Sequence, residues 1–272
     1  MKKKKTSLGD WIFNIFLGLF FTLFTLICIY PFYYLIINTI SANDISANGQ
    51  IMFLPKGIHF QNYIDVFKIP DLASAALVSL GRTVLGTIGA VLGAAYLGFM
   101  FTQQKMWARK FWYRFTIITM YFNAGLIPWY ITMRNLHLTN NFLAYILPAI
   151  VQPFNIILVK TYMESIPKSL QEAAEMDGAG AGRKFFSITL PMSTPMIFYN
   201  LINALIAAMQ AFDVYAMVGR GPNDCLYFIS IRIYETAFGG SNQYGLACSL
   251  GWLMFIVIAA LTLVMFKTNK WV

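Results

Sequence analysis

The sequence predicts an all-α, polytopic membrane protein with six transmembrane helices. Hydrophobic residues make up 58% of the 272 residues and charged residues only 11%, whereas a water-soluble domain needs about a quarter charged residues for its surface. Apolar stretches long enough to cross ~30 Å of hydrocarbon recur along the whole chain. They leave no room for a separate soluble domain, so we interpret residues 1–272 as one transmembrane domain.

The distribution of charge predicts the orientation of these helices. The formal net charge is +9, from 20 Lys and Arg against 11 Asp and Glu. If the N-terminus is cytoplasmic, most basic residues fall on cytoplasmic segments, as the positive-inside rule requires. We therefore expect both termini in the cytoplasm and no role for the basic charge in binding nucleic acid. The basic residues outside this pattern are Lys56, Lys68, Arg82, Arg134, Arg220 and Arg232.

The first two predicted spans differ in their side chains. The first, Trp11–Thr39, is roughly twice as long as the apolar part of a signal peptide, so we expect a retained helix. The second, Ala73–Phe101, carries small residues at helical intervals. Such residues are common in membrane helices, but this spacing favours close packing against a neighbouring helix. The small residues are Gly86, Gly89, Ala90, Gly93, Ala94 and Gly98.

Four further spans follow, and the fourth of the six contains two prolines. Pro148 and Pro153 interrupt it, with Gln152 and Asn155 beside the break. The freed backbone groups need partners from protein or from a watery cavity, so this helix should face other helices. The four spans are predicted at Phe111–Met133, Phe142–Lys160, Pro195–Val218 and Tyr244–Phe266.

The polar segment Thr161–Pro191 is far longer than a turn between two spans requires. Pro167–Asp177 is predicted to be a short helix, with Ser169 as N-cap and Glu172 completing a capping box. A second amphipathic stretch, Arg183–Thr189, should follow a break made by Gly178, Gly180 and Gly182. Such a helix-turn-helix element on the cytoplasmic face is suited to docking in a groove of a partner protein.

Polar side chains in the fifth span indicate a route for a hydrophilic solute. Amides and carboxylates inside a membrane are costly unless they face a cavity or a partner. They pair with hydroxyl groups, and aromatic rings stack on sugar rings, although interhelical hydrogen bonding explains any single residue equally well. The candidate pathway residues are Tyr199, Asn200, Asn203, Gln210, Phe212, Asp213 and Tyr215.

The chain contains no residue pattern that indicates catalysis or a metal site. Its cysteines, Cys28, Cys225 and Cys248, have no metal-binding spacing, and its two histidines lie far apart. There is no GxxxxGK[ST] sequence for binding the phosphates of ATP. We therefore expect a transport subunit rather than an enzyme, with no cofactor of its own.

The segment Glu172–Pro191, EAAEMDGAGAGRKFFSITLP, resembles the signature of binding-protein-dependent ABC importer permeases. The stretches RTVLGT at 82–87 and NAGLIPWYITMRNL at 123–136 resemble the branch that takes up multiple sugars and oligosaccharides. The glycine-rich outer loop departs from that pattern, because Arg220 separates its two glycines. The resemblance implies that the loop at 161–191 is a coupling helix that contacts a separate ATPase through Glu172, Ala173, Ala174, Asp177, Gly178, Ile188, Leu190 and Pro191.

The resemblance also implies a set of partners in the bacterial cytoplasmic membrane. They are a second, non-identical permease, two ATPase subunits that bind ATP and Mg²⁺, an extracytoplasmic solute-binding lipoprotein, membrane lipid and an oligosaccharide. Importers of glycerol phosphate, peptides or amino acids remain alternatives. A stand-alone channel or carrier would need internal repeats or intramembrane charges for ion coupling, which the sequence does not show, and a membrane-embedded enzyme would need a metal or nucleophile cluster.

Overall fold

The computed structural model describes residues 8–122, 124–212, 219–240 and 242–268, and within these ranges the regular structure is entirely helical. The longer helices are α1 (Leu8–Thr39), α4 (Leu72–Thr102), α5 (Arg109–Tyr121), α6 (Leu126–Asn135), α8 (Pro153–Glu164), α9 (Lys168–Met176), α12 (Thr194–Met209), α13 (Ile229–Phe238) and α14 (Tyr244–Thr268). The short helices are α2 (Asn43–Ala47), α3 (Gln61–Val66), α7 (Leu147–Ile150), α10 (Ala181–Lys184) and α11 (Leu190–Met192). Single turns of 3₁₀-helix cover Phe142–Tyr145 and Pro222–Asp224, and a π-helical segment covers Phe185–Thr189.

Four helical stretches among the described residues are long and apolar enough to cross a membrane, and a bent pair makes a fifth. The four coincide with the predicted first, second, fourth and sixth spans. The bent pair joins Ala181–Met192 to Thr194–Met209 at an angle of 75°, where the fifth span was predicted to begin. Its predicted end at 213–218 lies outside the described residues. Among the described residues the count of six spans is therefore not confirmed.

The predicted third span is not one helix. It divides into α5 and α6, which are separated by extended backbone at Phe122 and by Gly125 at a φ of +85°. At 13 residues and 1.5 Å per residue, α5 covers roughly 20 Å, which is short of the ~30 Å of hydrocarbon. Glycine permits the left-handed φ, and Pro128 is tolerated because it lies in the first turn of the new helix. Asn123 lies outside the described residues.

The fourth span is broken at its prolines, as predicted. Between α7 and α8 the backbone of Val151 is non-helical and that of Gln152 is extended, and Pro153 begins the new helix. The inner face of α8 is buried against α4, where Ile156, Val159 and Met163 are at most 1% exposed. The prediction that this helix faces other helices is confirmed.

The small-residue stripe of α4 provides that contact. A Cβ atom added to Gly93 would lie 2.4 Å from the carbonyl oxygen of Ile150, and one added to Gly98 would lie 3.0 Å from Val159 Cγ1. Close approach of the two backbones therefore requires glycine at these positions. The prediction of packing through this stripe is confirmed.

The chain divides into two compact units. One contains the described residues up to Ile69 together with Ile233–Leu253, and the other contains Pro70–Arg232 and the chain from Met254 onward. In the first unit the buried amide Nδ2 of Asn62 donates to the carbonyl oxygens of Thr39 and Ser41 at 2.9 and 3.0 Å. The second unit contains both the cavity and the signature segment described next.

Candidate functional site

A cavity of about 710 Å³ lies within the second unit, among α4, α6, the broken fourth span and the end of α12. Small side chains create much of the space, because a Cβ atom added to Gly86 would meet nothing within 4 Å. The polar and aromatic lining residues are Arg82, Gln152, Asn155, Asn203, Gln210, Trp129, Tyr145 and Phe154. The apolar remainder is Gly86, Ala90, Gly125, Leu126, Ala144, Pro148, Ala149, Ala204, Ala207, Ala208 and Ala211.

The two breaks in helical structure open onto this cavity. Gly125 at the α5–α6 break and Gln152 at the α7–α8 break both line it. Extended backbone at membrane depth is tolerated where it borders protein or a water-filled space. The breaks therefore place polar groups, including the Asn155 side chain in the first turn of α8, around a volume that a hydrated solute could occupy.

Arg82 lies within the apolar helix α4 and is only 9% exposed. Its Nη1 donates a hydrogen bond to the carbonyl oxygen of Ala208. The guanidinium also lies over two aromatic rings, 5.5 Å from the centroid of Tyr145 and 5.9 Å from that of Phe228. An arginine inside a membrane helix indicates a functional position. From the sequence it was counted only among the basic residues that do not fall on cytoplasmic segments, although its position inside an apolar stretch was a usable signal.

Only some of the polar residues predicted in the fifth span line the cavity. Asn203 and Gln210 line it. Asn200 is buried and does not line the cavity. Its Nδ2 donates a 3.5 Å hydrogen bond to the carbonyl oxygen of Asn155, and its Oδ1 has no hydrogen-bond partner among the described residues. Tyr199 is half-exposed and does not line the cavity, although its carbonyl oxygen accepts a 2.9 Å hydrogen bond from Asn203 Nδ2.

Phe212, Asp213 and Tyr215 are not among the described residues that line the cavity. Phe212 packs against the apolar cluster that contains Leu226, Tyr227 and Phe228. Asp213 and Tyr215 lie outside the described residues. Trp129 and Tyr145 were missed as ring-stacking candidates, because they come from segments far from α12 in sequence.

The signature segment forms a helix, a tight turn and a second helical stretch, as predicted. Gly178 has a φ of +74° after α9, which confirms it as the turn residue. Gly180 caps α10, but Gly182 lies inside that helix and does not break it. The predicted capping box is wrong, because α9 begins at Lys168 and the residue at its N-cap is Pro167, which makes no side-chain cap.

Most signature side chains are exposed to solvent. Glu172, Ala173, Asp177, Gly178 and Pro191 are exposed, and the remaining members Ala174, Ile188 and Leu190 are half-buried. An ion pair between Glu175 and Lys184, at 2.5 Å, joins the two arms of the segment. The hydrogen bond from Lys184 holds the pKa of the exposed Glu175 carboxyl below its usual value. The segment is thus a helix-turn-helix element that exposes most of its signature side chains.

Phe185 attaches this surface to the transmembrane helices. Its ring lies 4.8 Å from that of Phe99 in α4 and packs on the buried cluster that includes Ile156 and Met163 of α8. The next residue, Phe186, is 68% exposed. Since α4 also carries the cavity residue Ala90, one rigid helix spans the roughly 14 Å between cavity and attachment point.

The described residues contain no group of three or more His, Cys, Asp or Glu side chains arranged to hold a metal ion. Their three cysteines are free thiols. We assign no metal site to this part of the chain.

Comparison with curated proteins finds several sugar permeases. The chain is 28% identical to the polygalacturonan/rhamnogalacturonan transport system permease protein YtcP of Bacillus subtilis, over 68% of the chain and 65% of that protein. It is 30% identical to protein LplC of the same organism, over 63% of the chain and 58% of LplC. The matched region therefore spans less than two thirds of these two relatives. The arabinooligosaccharides transport system permease protein AraQ of Halalkalibacterium halodurans is 26% identical over 95% of the chain and 93% of AraQ.

Solved structures share the fold. A chain of a bacterial ABC transporter involved in the import of the acidic polysaccharide alginate superposes with a TM-score of 0.81 at 22% identity, covering 99% of both chains. The alginate transporter in complex with its alginate pentasaccharide-bound periplasmic protein gives a TM-score of 0.71 at 17% identity. At these identities the likeness establishes the helical fold of an importer permease.

The family match covers the cavity-forming helices from the middle of α4 onward and the whole signature segment. Residues 87–272 match the family described as the inner membrane component of binding-protein-dependent transport systems. With four described helices long and apolar enough to cross a bilayer, the chain is a multi-pass membrane protein and belongs to the binding-protein-dependent transport system inner membrane component family.

Proposed function

We propose that this chain is a permease subunit of an ATP-driven, binding-protein-dependent importer of carbohydrate, most suitably an oligosaccharide. The observation that carries this proposal is the physical continuity between the signature segment and the cavity. Phe185 packs on Phe99, and the α4 helix that contains Phe99 also lines the cavity. A movement imposed on the solvent-exposed signature segment is thereby transmitted through α4 to the cavity wall.

The cavity chemistry supports a sugar as the transported solute. Its volume of about 710 Å³ falls within the ~300–1,000 Å³ typical of small-ligand sites. Amides from Gln152, Asn155 and Asn203 pair with sugar hydroxyls, and Trp129 offers a face for a sugar ring. YtcP and AraQ are named for oligo- and polysaccharide transport, which agrees with this chemistry.

A phosphorylated polyol is the second candidate. The sn-glycerol-3-phosphate transport system permease protein UgpA of Yersinia pseudotuberculosis is 36% identical over 42% of the chain. The cationic side chain of Arg82 in the cavity is compatible with an anionic solute of this kind. A small phosphate ester would use few of the amides, so we favour the oligosaccharide.

The proposed assembly contains a second permease that completes the translocation pathway. Large apolar side chains of α1, α5 and α14 are exposed and are available to lipid and to that partner. Two cytoplasmic ATPase subunits bind ATP and Mg²⁺ and dock on the Glu172–Pro191 segment, and a solute-binding lipoprotein delivers the sugar from outside. Both termini are cytoplasmic in this arrangement, which follows the positive-inside rule.

The proposal is tested by removing the exposed carboxylate of Glu172. We expect Glu172→Ala to reduce both ATPase co-purification and oligosaccharide uptake by about tenfold, the effect of losing a charged interface contact of roughly 1.4 kcal/mol. The matched control is Glu164→Ala at the end of α8, which removes the exposed partner of an ion pair with the largely buried Lys160. Lys160 retains its position over the Tyr113 ring, so uptake should change little.

Membrane insertion and thermal stability of both variants should equal those of the wild type. Wild-type uptake by Glu172→Ala, with the ATPase still bound, would contradict the assignment of this segment as the coupling element.

A further inference from the structure

Helix α5 carries two basic side chains beside an exposed apolar face. Lys110 and Arg114 are four residues apart, so they lie on one side of the helix, one turn from each other. Both are exposed. Together with Phe111, Phe115 and Ile118 they line an open groove of about 450 Å³. The groove is therefore basic at its N-terminal end and apolar further along α5.

The two basic side chains form no ion pair with another described residue. Other lysines in those ranges are paired, in Lys68–Asp65, Lys160–Glu164 and Lys184–Glu175. Acidic residues are also remote in sequence, because no Asp or Glu occurs between Asp71 and Glu164. Lys110 and Arg114 are thus available to an anion from outside the described part of the chain.

The basic end of the groove lies at the membrane surface. The apolar helix α4 is 31 residues long and ends at Thr102, and α5 begins shortly afterwards at Arg109. The chain therefore leaves the membrane with α4 and re-enters it with α5. Ile118 lies roughly 12 Å further along α5 than Lys110, at 1.5 Å per residue. In the proposed arrangement with cytoplasmic termini, this surface is the cytoplasmic one.

The apolar part of the groove contains two stacked aromatic rings. The ring centroids of Phe111 and Phe115 are 6.3 Å apart, with an angle of 16° between the ring planes. These two residues are 60% and 50% exposed, and Ile118 is 55% exposed. An acyl chain would cover these side chains, whereas a small soluble anion held by the two cations would leave them uncovered.

We propose that this groove binds one anionic phospholipid of the cytoplasmic leaflet. Its phosphate lies between Lys110 and Arg114, and an acyl chain follows Phe115 and Ile118. Anionic lipids attract basic residues at the cytoplasmic ends of membrane helices, and here cations and apolar wall follow in the same order as the headgroup and chain of a lipid. A zwitterionic lipid is disfavoured because it also brings a positive charge to the two cations.

Lipid retention by the purified complex provides the test. The chain is prepared in detergent with its partner permease and ATPase subunits, and is mixed with equal amounts of phosphatidylglycerol and phosphatidylcholine that have the same acyl chains. Native mass spectrometry counts the bound lipids of each class. We expect a preference for phosphatidylglycerol of at least about tenfold, because each cation near an anionic headgroup contributes about fivefold. Equal retention of the two lipids would overturn the proposal.

Substitutions assign the lipid to this groove. The double variant Lys110→Gln/Arg114→Gln should retain one phosphatidylglycerol fewer than the wild type. The variant Lys110→Arg/Arg114→Lys keeps both charges and should retain the same number. The matched control is Lys267→Gln, which removes an exposed cation from the last turn of α14 and should leave retention unchanged. Full retention by the double variant, or an equal loss in the control, would overturn the proposal.

The single variants decide the question if the double variant does not assemble. Lys110→Gln and Arg114→Gln should each weaken the retention of phosphatidylglycerol by about fivefold and leave that of phosphatidylcholine unchanged. Wild-type retention of phosphatidylglycerol by both single variants would overturn the proposal.

A soluble competitor distinguishes a lipid from other anions. Glycerophosphoglycerol has the headgroup of phosphatidylglycerol but no acyl chains, so a large excess of it should displace little lipid. Phe115→Ala should weaken retention of phosphatidylglycerol while its preference over phosphatidylcholine persists. Displacement by the competitor at equal concentration would identify a phosphate site and overturn the lipid assignment.

The partner permease is the other surface that could cover the groove. In that case the double variant would lower the recovery of the two-permease complex while the number of bound phosphatidylglycerol molecules stayed the same, and the proposal would be overturned. None of these outcomes bears on the proposed function, because the groove contains neither the cavity residues nor the signature segment.

Discussion

Helices α1 and α4 are nearly equal in length and both are strongly apolar, yet they differ in burial. In α1 none of the most apolar stretch is buried, whereas 44% of the corresponding stretch of α4 is buried. Helix α1 is the more apolar of the two, with large side chains such as Phe20 and Phe24 exposed along its length. Helix α4 instead carries glycine and alanine where it meets α7 and α8.

This difference shows what controls burial in a membrane protein. Lipid is as apolar as leucine, so apolar character does not drive one membrane helix against another. Helices associate instead through close packing of their backbones. Gly93 and Gly98 allow that contact in α4. Helix α4 consequently borders both the cavity and the signature segment, and α1 presents its large side chains outward.

The largest effect is expected from placing a large side chain on α4. In Gly93→Leu the new side chain collides with the carbonyl of Ile150, where even a Cβ atom would approach to 2.4 Å. We expect a loss of stability of about 3 kcal/mol or more, as for severe overpacking. The matched control is Gly18→Leu in α1, where a Cβ atom meets nothing within 4 Å. Thermal unfolding in detergent measures the stability of both variants. Equal melting temperatures for Gly93→Leu and Gly18→Leu would refute the difference in packing between α4 and α1.

A smaller effect is expected where α4 meets the signature segment. Phe185→Ala removes a ring that packs on Phe99, so we expect a loss of about 2 kcal/mol, below the range for a fully buried phenylalanine. Uptake should fall further than stability alone explains, because the path from segment to cavity is interrupted. The control is Phe186→Ala, which truncates an exposed ring. Solute uptake per folded complex and ATP hydrolysis are measured together. Wild-type uptake per ATP hydrolysed in Phe185→Ala would contradict the role given to α4.

The smallest effect concerns the turn that shapes the docking surface. Gly178 has a φ of +74°, whereas Gly180 caps α10 with a φ of −66°. An alanine at 178 is strained by about 1 kcal/mol and one at 180 is not. Gly178→Ala should therefore weaken ATPase docking by roughly fivefold, and Gly180→Ala should leave it unchanged. Docking affinities that rank in the opposite order would show that the turn does not set the surface.

Features encoded by neighbouring residues were predicted well from the sequence. The long apolar helices, the proline break in the fourth span and the turn at Gly178 all follow from local preferences. The third span was predicted as a single helix, and this was wrong because its apolar composition concealed a break; the left-handed φ of Gly125 became visible only in the structure. The capping box was wrong because α9 begins at Lys168, after Pro167, so Ser169 lies inside the helix instead of at its N-cap.

The amino-acid order alone was enough to establish an all-helical membrane chain with a signature segment, because hydropathy and motif spacing are properties of contiguous residues. It also indicated which helix would be packed, since small residues recur at helical intervals along α4. The cavity required the folded structure, because Arg82, Trp129, Asn155 and Asn203 come from four separate helices and meet through contacts between distant segments. The placement of Arg82 in that cavity depends on the close backbone packing of α4, which local sequence preferences do not specify.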